Sequence, residues 1–355
     1  MKRVPFALMF LFFCGNLVAQ NINIAGTIDQ PLHRPVSIAK GRESPKIKLL
    51  KIELSENAQQ NLQERAKNAL AHKAQFALHS VSSKYPMKVE LGMNNVPVLN
   101  QGMHGTCTTF ANTAAIDAVL KKGDYVSQLC LLQLGNYLEK NSFINSGWEG
   151  AWGRTVLSQI EIHGVLSKEQ QKGHGCGGLV EYPLNDTEDV QTPMSLEDYH
   201  QISENLNEHV PWTPVLDAFE AVLDRVDTNK TLNEVKAALN AGDRLTFGVL
   251  LLDLEMGLAG AVGKNKTNYD TWVLTPEIAR DVYLNPNYGA HEMVITGYDD
   301  NAVAVDDEGR EYRGLLMLRN SWGDKVGDQG DFYMSYDFFK LLVIEVQRIR
   351  NLTEE

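Results

Sequence analysis

The spacing of apolar residues changes along this chain, and that change limits the folds open to it. Between Thr108 and Lys121, residues Phe110, Ala111, Ala114, Ala115, Ala118 and Val119 recur at three- and four-residue steps, and Gly123 closes the run. Such spacing places them together on a helix. Beyond residue 244 the pattern differs: Leu245 to Leu252 is a continuous apolar run of strand length, preceded by a short helix marked by Leu232, Val235, Ala238 and Leu239 and ended by Gly242. Further strands are predicted at Glu292 to Tyr298, Ala302 to Val305, Leu315 to Arg319 and Asp331 to Ser335, with Asp307-Glu308-Gly309 as a hairpin turn. Helix-rich sequence followed by strand-rich sequence predicts an α+β fold, two packed halves with a cleft between them. No internal repeat interrupts this order.

The start of the chain has its own character. Lys2 and Arg3 precede an apolar run of ten residues, Val4 to Phe13, and Leu17-Val18-Ala19 offers a cleavage site. Ten apolar residues are too few to cross a bilayer, so residues 1–19 are expected to be a signal peptide, with the mature protein periplasmic or extracellular and without a membrane anchor. Phe12 and Phe13 ahead of Cys14 argue against a lipoprotein site. Residues 20–50 show no sustained period and carry Pro31, Pro35 and Pro45, and are expected to be extended or loosely ordered. Ser55 then caps an amphipathic helix over about 55–79, with Ala58, Leu62, Ala66, Ala69, Leu70, Ala74, Ala77 and Leu78 as its narrow apolar stripe. The net charge of −12 argues against a nucleic-acid partner, because a phosphate backbone calls for a basic face.

Three segments carry recognisable chemistry: Asn100-Gln101-Gly102-Met103-His104-Gly105-Thr106-Cys107 leads into the first helix, His291 lies in Gly289-Ala290-His291-Glu292-Met293, and Asn320 in Arg319-Asn320-Ser321-Trp322-Gly323. A thiol attacks a carbonyl only as thiolate, which needs a neighbour that favours negative charge; a helix N-terminus and an imidazolium both do so. Together with the run Lys88 to Gly102, these segments resemble the papain-like cysteine peptidases, and the resemblance extends with gaps to about Phe339.

That resemblance implies a helix-rich left half and an antiparallel β-rich right half, with residues 87–355 as the peptidase domain. It implies an enzyme that hydrolyses peptide bonds of proteins or peptides through a thioester on Cys107, while the signal type reads as bacterial. His291 would be the general acid and base and Asn320 would orient it; Trp322 would shield their hydrogen bond. Gln101 would join the Cys107 backbone N–H in an oxyanion hole. No cofactor and no metal is implied. Residues 20–86 fit a prosegment that inhibits the enzyme until cleavage between His79 and Asn95, the alternative being a helix docked permanently on the mature domain.

The chain also departs from the family pattern. His104 stands where the family has a disulfide cysteine, and Thr108 where it has a tryptophan after the nucleophile. His104 is a second candidate base beside a packing role. Gly175-Cys176-Gly177-Gly178 resembles the family's Gly-Cys-x-Gly-Gly loop with one residue missing, which makes it the segment expected near the specificity pocket. With Cys107 as the free thiol, Cys130 and Cys176 are a candidate disulfide, two buried thiols being the alternative. His291 follows Cys107 by 184 residues and Asn320 by 213, against about 130 to 150 in the family signature. Insertions are therefore expected, at Tyr182 to Trp212 and Gly257 to Ala279, either rimming the cleft or lying solvated on the surface. The acidic pairs Asp299-Asp300 and Asp306-Asp307 are read as turn carboxylates, with calcium as the alternative. Two other functions suit the same residues: a thiol acyl transferase, and an inactive binding module with a closed cleft.

Overall fold

The computed structural model describes residues 21–31, 46–71, 85–186, 190–223, 226–252, 254, 258–259, 270–284, 288–350 and 352. The expected signal peptide, the stretch 72–79 of the expected N-terminal helix, and parts of both expected insertions lie outside these residues.

Two strands open the described chain, β1 (Ile22–Pro31) and β2 (Lys46–Leu54), followed by α1 (Glu56–Ala71) and the short β3 (Lys88–Glu90). Five helices then build the left half: α2 (Cys107–Leu120), α3 (Gln128–Lys140), α4 (Gly153–His163), α5 (Lys168–His174) and α6 (Leu196–Ile202). The right half holds β4 (Trp212–Leu216), α7 (Ala218–Ala221), α8 (Thr228–Asn240), β5 (Arg244–Leu251), β6 (Leu258–Ala259), β7 (Thr271–Trp272) and α9 (Pro276–Leu284). It ends with β8 (Tyr288–Val305), β9 (Glu311–Arg319), β10 (Asp331–Ser335), α10 (Tyr336–Leu342) and β11 (Val343–Ile349).

The sheet runs β4-β11-β5-β8-β9-β10-β7-β6, with β2 and β3 added along β8. All these pairings are antiparallel except β10 with β7. β8 is its spine. The two strands expected within it are one, because the irregularity between Asp299 and Val303 bends the pairing with β9 without ending it. β5 is buried along its whole length, which is why its sequence is continuously apolar instead of alternating.

α2 is the axis of the left half. Every residue from Cys107 to Val119 is buried, so the helix is wrapped on all sides and carries a buried acid, Asp117. That carboxyl accepts the backbone N–H groups of Tyr125 and Val126 and so holds the turn into α3. Burial pushes it up to about 8. Cys130 in α3 is joined by a disulfide to Cys176, just past α5, with a Cα separation of 5.0 Å.

The N-terminal region differs from the sequence expectation. Residues 20–50, expected to be extended or loosely ordered, contain most of a paired hairpin, because Ile22, Ile24, Ile47, Leu49 and Leu50 are buried against the sheet half. The prolines obscure the alternation without preventing it: Pro31 ends β1 and Pro45 precedes β2. Ser55 does cap α1, its hydroxyl accepting from Ala58 N–H at 3.2 Å. α1 docks its stripe of Ala58, Leu62, Ala66 and Ala69 and is tied down by Asn61 to the Val222 carbonyl and by Tyr283 to the Gln63 carbonyl.

Candidate active site

Three elements converge at one place. Cys107 is the first residue of α2, and its N-cap Thr106 makes no side-chain cap bond. The open first turn therefore keeps its N–H groups and its positive dipole end available to the sulphur. His291 lies on β8 between two neighbours on the same edge: β9 pairs with β8 as far as Val294, and β2 takes over at Ala290, leaving residues 291–293 unpaired on that side. Asn320 directly follows β9 and stands opposite this gap, with its own N–H donating to the Gly330 carbonyl at 3.0 Å.

His291 Nε2 and Asn320 Oδ1 are 2.7 Å apart. The same oxygen accepts the Ser321 N–H at 2.6 Å, which fixes the amide and makes Nε2 the donor. Nδ1, the ring's other nitrogen, is buried without a hydrogen bond. Trp322 lies over the imidazole with ring centroids 4.4 Å apart, and it is walled in turn by Trp272 and Phe332. On the cysteine side, the backbone of Glu292, one residue beyond the histidine, lies near enough to the Cys107 sulphur to favour its thiolate.

Cys107 and His291 are both buried, and burial dominates their acidity. It pushes the Cys107 thiol up to about 12, with the Glu292 carboxylate adding to the rise. It pushes His291 down to about 4, against the opposing pull of the Asn320 hydrogen bond. Each shift disfavours a charged form, so in this arrangement the pair is a neutral thiol and a neutral imidazole.

The N-terminal hairpin does the covering. Leu50, Lys51 and Ile52 of β2 pair with Ala290, Gly289 and Tyr288, the residues leading into His291. Thr27 of β1 is in contact with Gly105, two residues ahead of the cysteine, and its hydroxyl donates to Glu149 at 2.8 Å. Ile24 and Leu50 press on Gly150 so closely that a Cβ there would meet both. Gln101 also faces the hairpin: its side-chain amide donates to the His104 carbonyl at 2.9 Å and approaches the Lys48 carbonyl at 3.5 Å, while its Oε1 accepts the Ser321 hydroxyl. A cavity of about 860 Å³ lies beside the hairpin, lined among others by Ile24, Trp152, Arg154, Ile162, Phe219 and Glu345.

Other residues singled out in the sequence fall elsewhere. His104 is buried edge-on to Trp148 and Tyr182 at ring distances of 5.0 and 5.8 Å, a packing position. Thr108 donates to the Ala151 carbonyl. The wall that meets the hairpin is Trp148 to Gly150; the loop at Cys176 packs in one cluster with Trp148, Leu129, Leu132 and Tyr199. Asp306 is held by Arg310 and Tyr312, and Asp300 by Lys236 and Tyr336.

Two features escaped the sequence reading. Glu292 and Glu345 are buried carboxyls raised chiefly by burial, Glu345 to about 7 and Glu292 well above its ordinary range, with Glu345 adding to the rise at Glu292. Glu345 accepts the Gly153 N–H at the start of α4, and Glu292 accepts from Asn112 of α2 at 2.7 Å. The sequence signal was an acid inside an apolar strand run, Ile344-Glu345-Val346 and His291-Glu292-Met293. The other feature is Tyr182, which packs on the loop between Gln101 and Cys107.

Comparison with solved structures bears on the fold. The cysteine protease and lectin-like domains of Cwp84, a surface layer associated protein of Clostridium difficile, superpose with a TM-score of 0.50 at 16% identity, covering 84% of this chain and 60% of that one. The fold is papain-like. Xylellain, a cysteine protease from Xylella fastidiosa, matches with a TM-score of 0.47 at 21% identity over 76% of this chain and 88% of that one. Digestive procathepsin L 3 of Tenebrio molitor larval midgut matches at 0.44 and 16% identity, over 82% and 90%. The Peptidase C1-like family model matches residues 274–355, a stretch that holds His291 and Asn320 but not Cys107. No curated protein matches the chain.

Proposed function

We propose that this papain-like chain is an exported cysteine peptidase made as a precursor, with Cys107 as nucleophile, His291 as acid and base, and the β1–β2 hairpin as the segment that keeps it inactive. The observation that carries the reading is the 2.7 Å bond from His291 Nε2 to Asn320 beneath Trp322, which leaves Nδ1 without a hydrogen bond on a strand whose next residue, Glu292, acts on the acidity of Cys107.

Removing the hairpin returns water to the site. The desolvation that holds both groups neutral is then relieved, the imidazole rises, the thiol falls, and the proton moves from Cys107 to His291 Nδ1. The sulphur attacks the substrate carbonyl carbon, and the oxyanion that forms is met by the Cys107 backbone N–H and by the Gln101 side-chain N–H that now approaches the Lys48 carbonyl. His291 gives its proton to the leaving amine as the C–N bond breaks. A thioester remains, and water deprotonated by the same imidazole releases the acid and restores the thiol. Asn320 holds the ring in one plane throughout, and a neutral amide suits an ion pair already formed.

The test is cleavage of an unfolded protein by the exported chain, beside Cys107→Ala and His291→Ala, with mass analysis of the chain's own N-terminus. Cleavage that appears as the hairpin is shed, and is absent from both variants, supports the reading. A chain that never cleaves, and whose Cys107 stays unlabelled by a thiol-directed inhibitor after the hairpin is removed, would sink it in favour of a binding module.

A further inference from the structure

The loop from Gln101 to Thr106 carries the two groups assigned to the oxyanion, the Gln101 amide at one end and the Cys107 N–H just past the other. Gly102 and Gly105 give its backbone no side chain of its own to stiffen it, so its shape is set by what packs on it. One side chain from outside the loop bridges its ends. The Tyr182 hydroxyl donates to the Gln101 carbonyl at 2.9 Å and shares a hydrogen bond of 2.8 Å with the Thr106 hydroxyl. Because the tyrosine has one proton and spends it on Gln101, Thr106 is the donor in the second bond.

The ring that carries this hydroxyl is itself held on three sides. It stacks on Trp148 at 5.7 Å with an interplanar angle of 10°, meets Phe110 edge-on at 4.9 Å, and meets His104 edge-on at 5.8 Å. The following residues press on the same loop. Met103 N–H donates to the Leu184 carbonyl at 2.9 Å, and Gly102, at a φ of +59°, has no room for a Cβ beside that carbonyl. Thr106 is the N-cap of α2, yet its hydroxyl makes no cap bond. It is spent on Tyr182, where a capping threonine would ordinarily stabilise its helix.

We infer that Tyr182 is a positioning residue for the oxyanion hole: it fixes the distance between the Gln101 amide and the Cys107 N–H by tying Gln101 and Thr106 to one oxygen. This rests on the peptidase reading above. It gives the first residue of the expected insertion a role in the reaction, where composition alone suggested a solvated surface.

The test compares the full chain, allowed to process itself, with Tyr182→Phe, which keeps the ring and its stacking but removes the hydroxyl. Three readouts are taken: kcat and KM on a peptide substrate, inhibition by a peptide aldehyde whose adduct presents an oxyanion, and the pH profile of Cys107 alkylation by iodoacetamide. The expected result is a kcat lower by about 10- to 100-fold, aldehyde inhibition weakened by a similar factor, and KM and the alkylation profile unchanged. Thr106→Val should lower kcat likewise, Thr106→Ser should restore it, and the double variant with Tyr182→Phe should be no worse than the poorer single. A kcat within twofold of the parent overturns the inference, and so does an equal fall in alkylation rate, which would mark a general loosening of the site. A parent chain that neither turns over nor alkylates would instead overturn the peptidase reading, and this inference with it.

Discussion

The two walls of the cleft are held by different means. The histidine wall is backbone: β8 is flanked by β5 and β9, and Asn320 is placed by the end of a strand and the ladder beside it. The cysteine wall is side chain: Asn112, Thr108 and Tyr182 fix α2 and its leading loop through hydrogen bonds to residues far along the chain, and Asp117 holds the turn that follows α2. A ladder distributes its load, so a substitution on the sheet side acts mainly through the group removed. On the helix side a single lost hydroxyl or carboxyl leaves a buried partner unsatisfied. The N-terminal hairpin lies against both walls, with β2 on the strand and Thr27 on the loop.

The largest expected effect removes the cysteine wall's one reacting atom. Cys107→Ala should abolish peptide hydrolysis, a fall of roughly 10⁶-fold, while leaving the melting temperature nearly unchanged because the side chain makes little polar contact. Residual cleavage within about 100-fold of the parent would show that another nucleophile does the work. The hairpin sets the next effect. With the thiol held up near 12 in the covered chain, alkylation of Cys107 at pH 7 should be slower by roughly 10³-fold than after the hairpin is removed, since only the thiolate reacts. Equal rates before and after removal would exclude the hairpin as the cover.

On the histidine wall, Asn320→Ala should lower kcat by roughly 100-fold with KM held, because the imidazole loses its orientation but not its place on β8. A matching rise in KM would mean the strand end had moved. Stability responds less sharply: Cys130→Ser opens a disulfide spanning 46 residues and should cost about 3 to 4 kcal/mol, read as a fall in melting temperature of several degrees. No change on adding reductant to the parent would show that the bridge contributes nothing.

The sequence was more informative about one wall than the other. β5, β9 and β10 appear as apolar runs of strand length, and His291 and Asn320 sit in segments whose neighbours name their place. Cys107 was legible through Gln101 and the helix that follows. What failed was long-range: Tyr182 gives no local sign that its hydroxyl returns to residue 101. The hairpin was missed because its buried positions alternate irregularly across the bulge between Ile24 and Thr27, so no window shows a clean period of two.

The acid pair behind the histidine wall offers the smallest effect and the finest discrimination between the walls. Glu345 titrates near 7 when folded, against about 4.3 in an unfolded chain. A raised acid binds its proton more tightly when folded, so its contribution to stability is complete below about pH 4.3 and is lost as pH rises through 7. The parent, carried in a Cys107→Ala background to prevent self-cleavage, should therefore melt at a lower temperature at pH 8 than at pH 5. Glu345→Gln keeps an oxygen for the Gly153 N–H and removes the charge, so it should melt higher than the parent at pH 8 and show a shallower slope. Asp117, raised to about 8 on the other wall, would still supply its own slope in that variant. Calorimetry across this range separates the two: a slope untouched by Glu345→Gln but flattened by Asp117→Asn would assign the pH sensitivity to the cysteine wall alone.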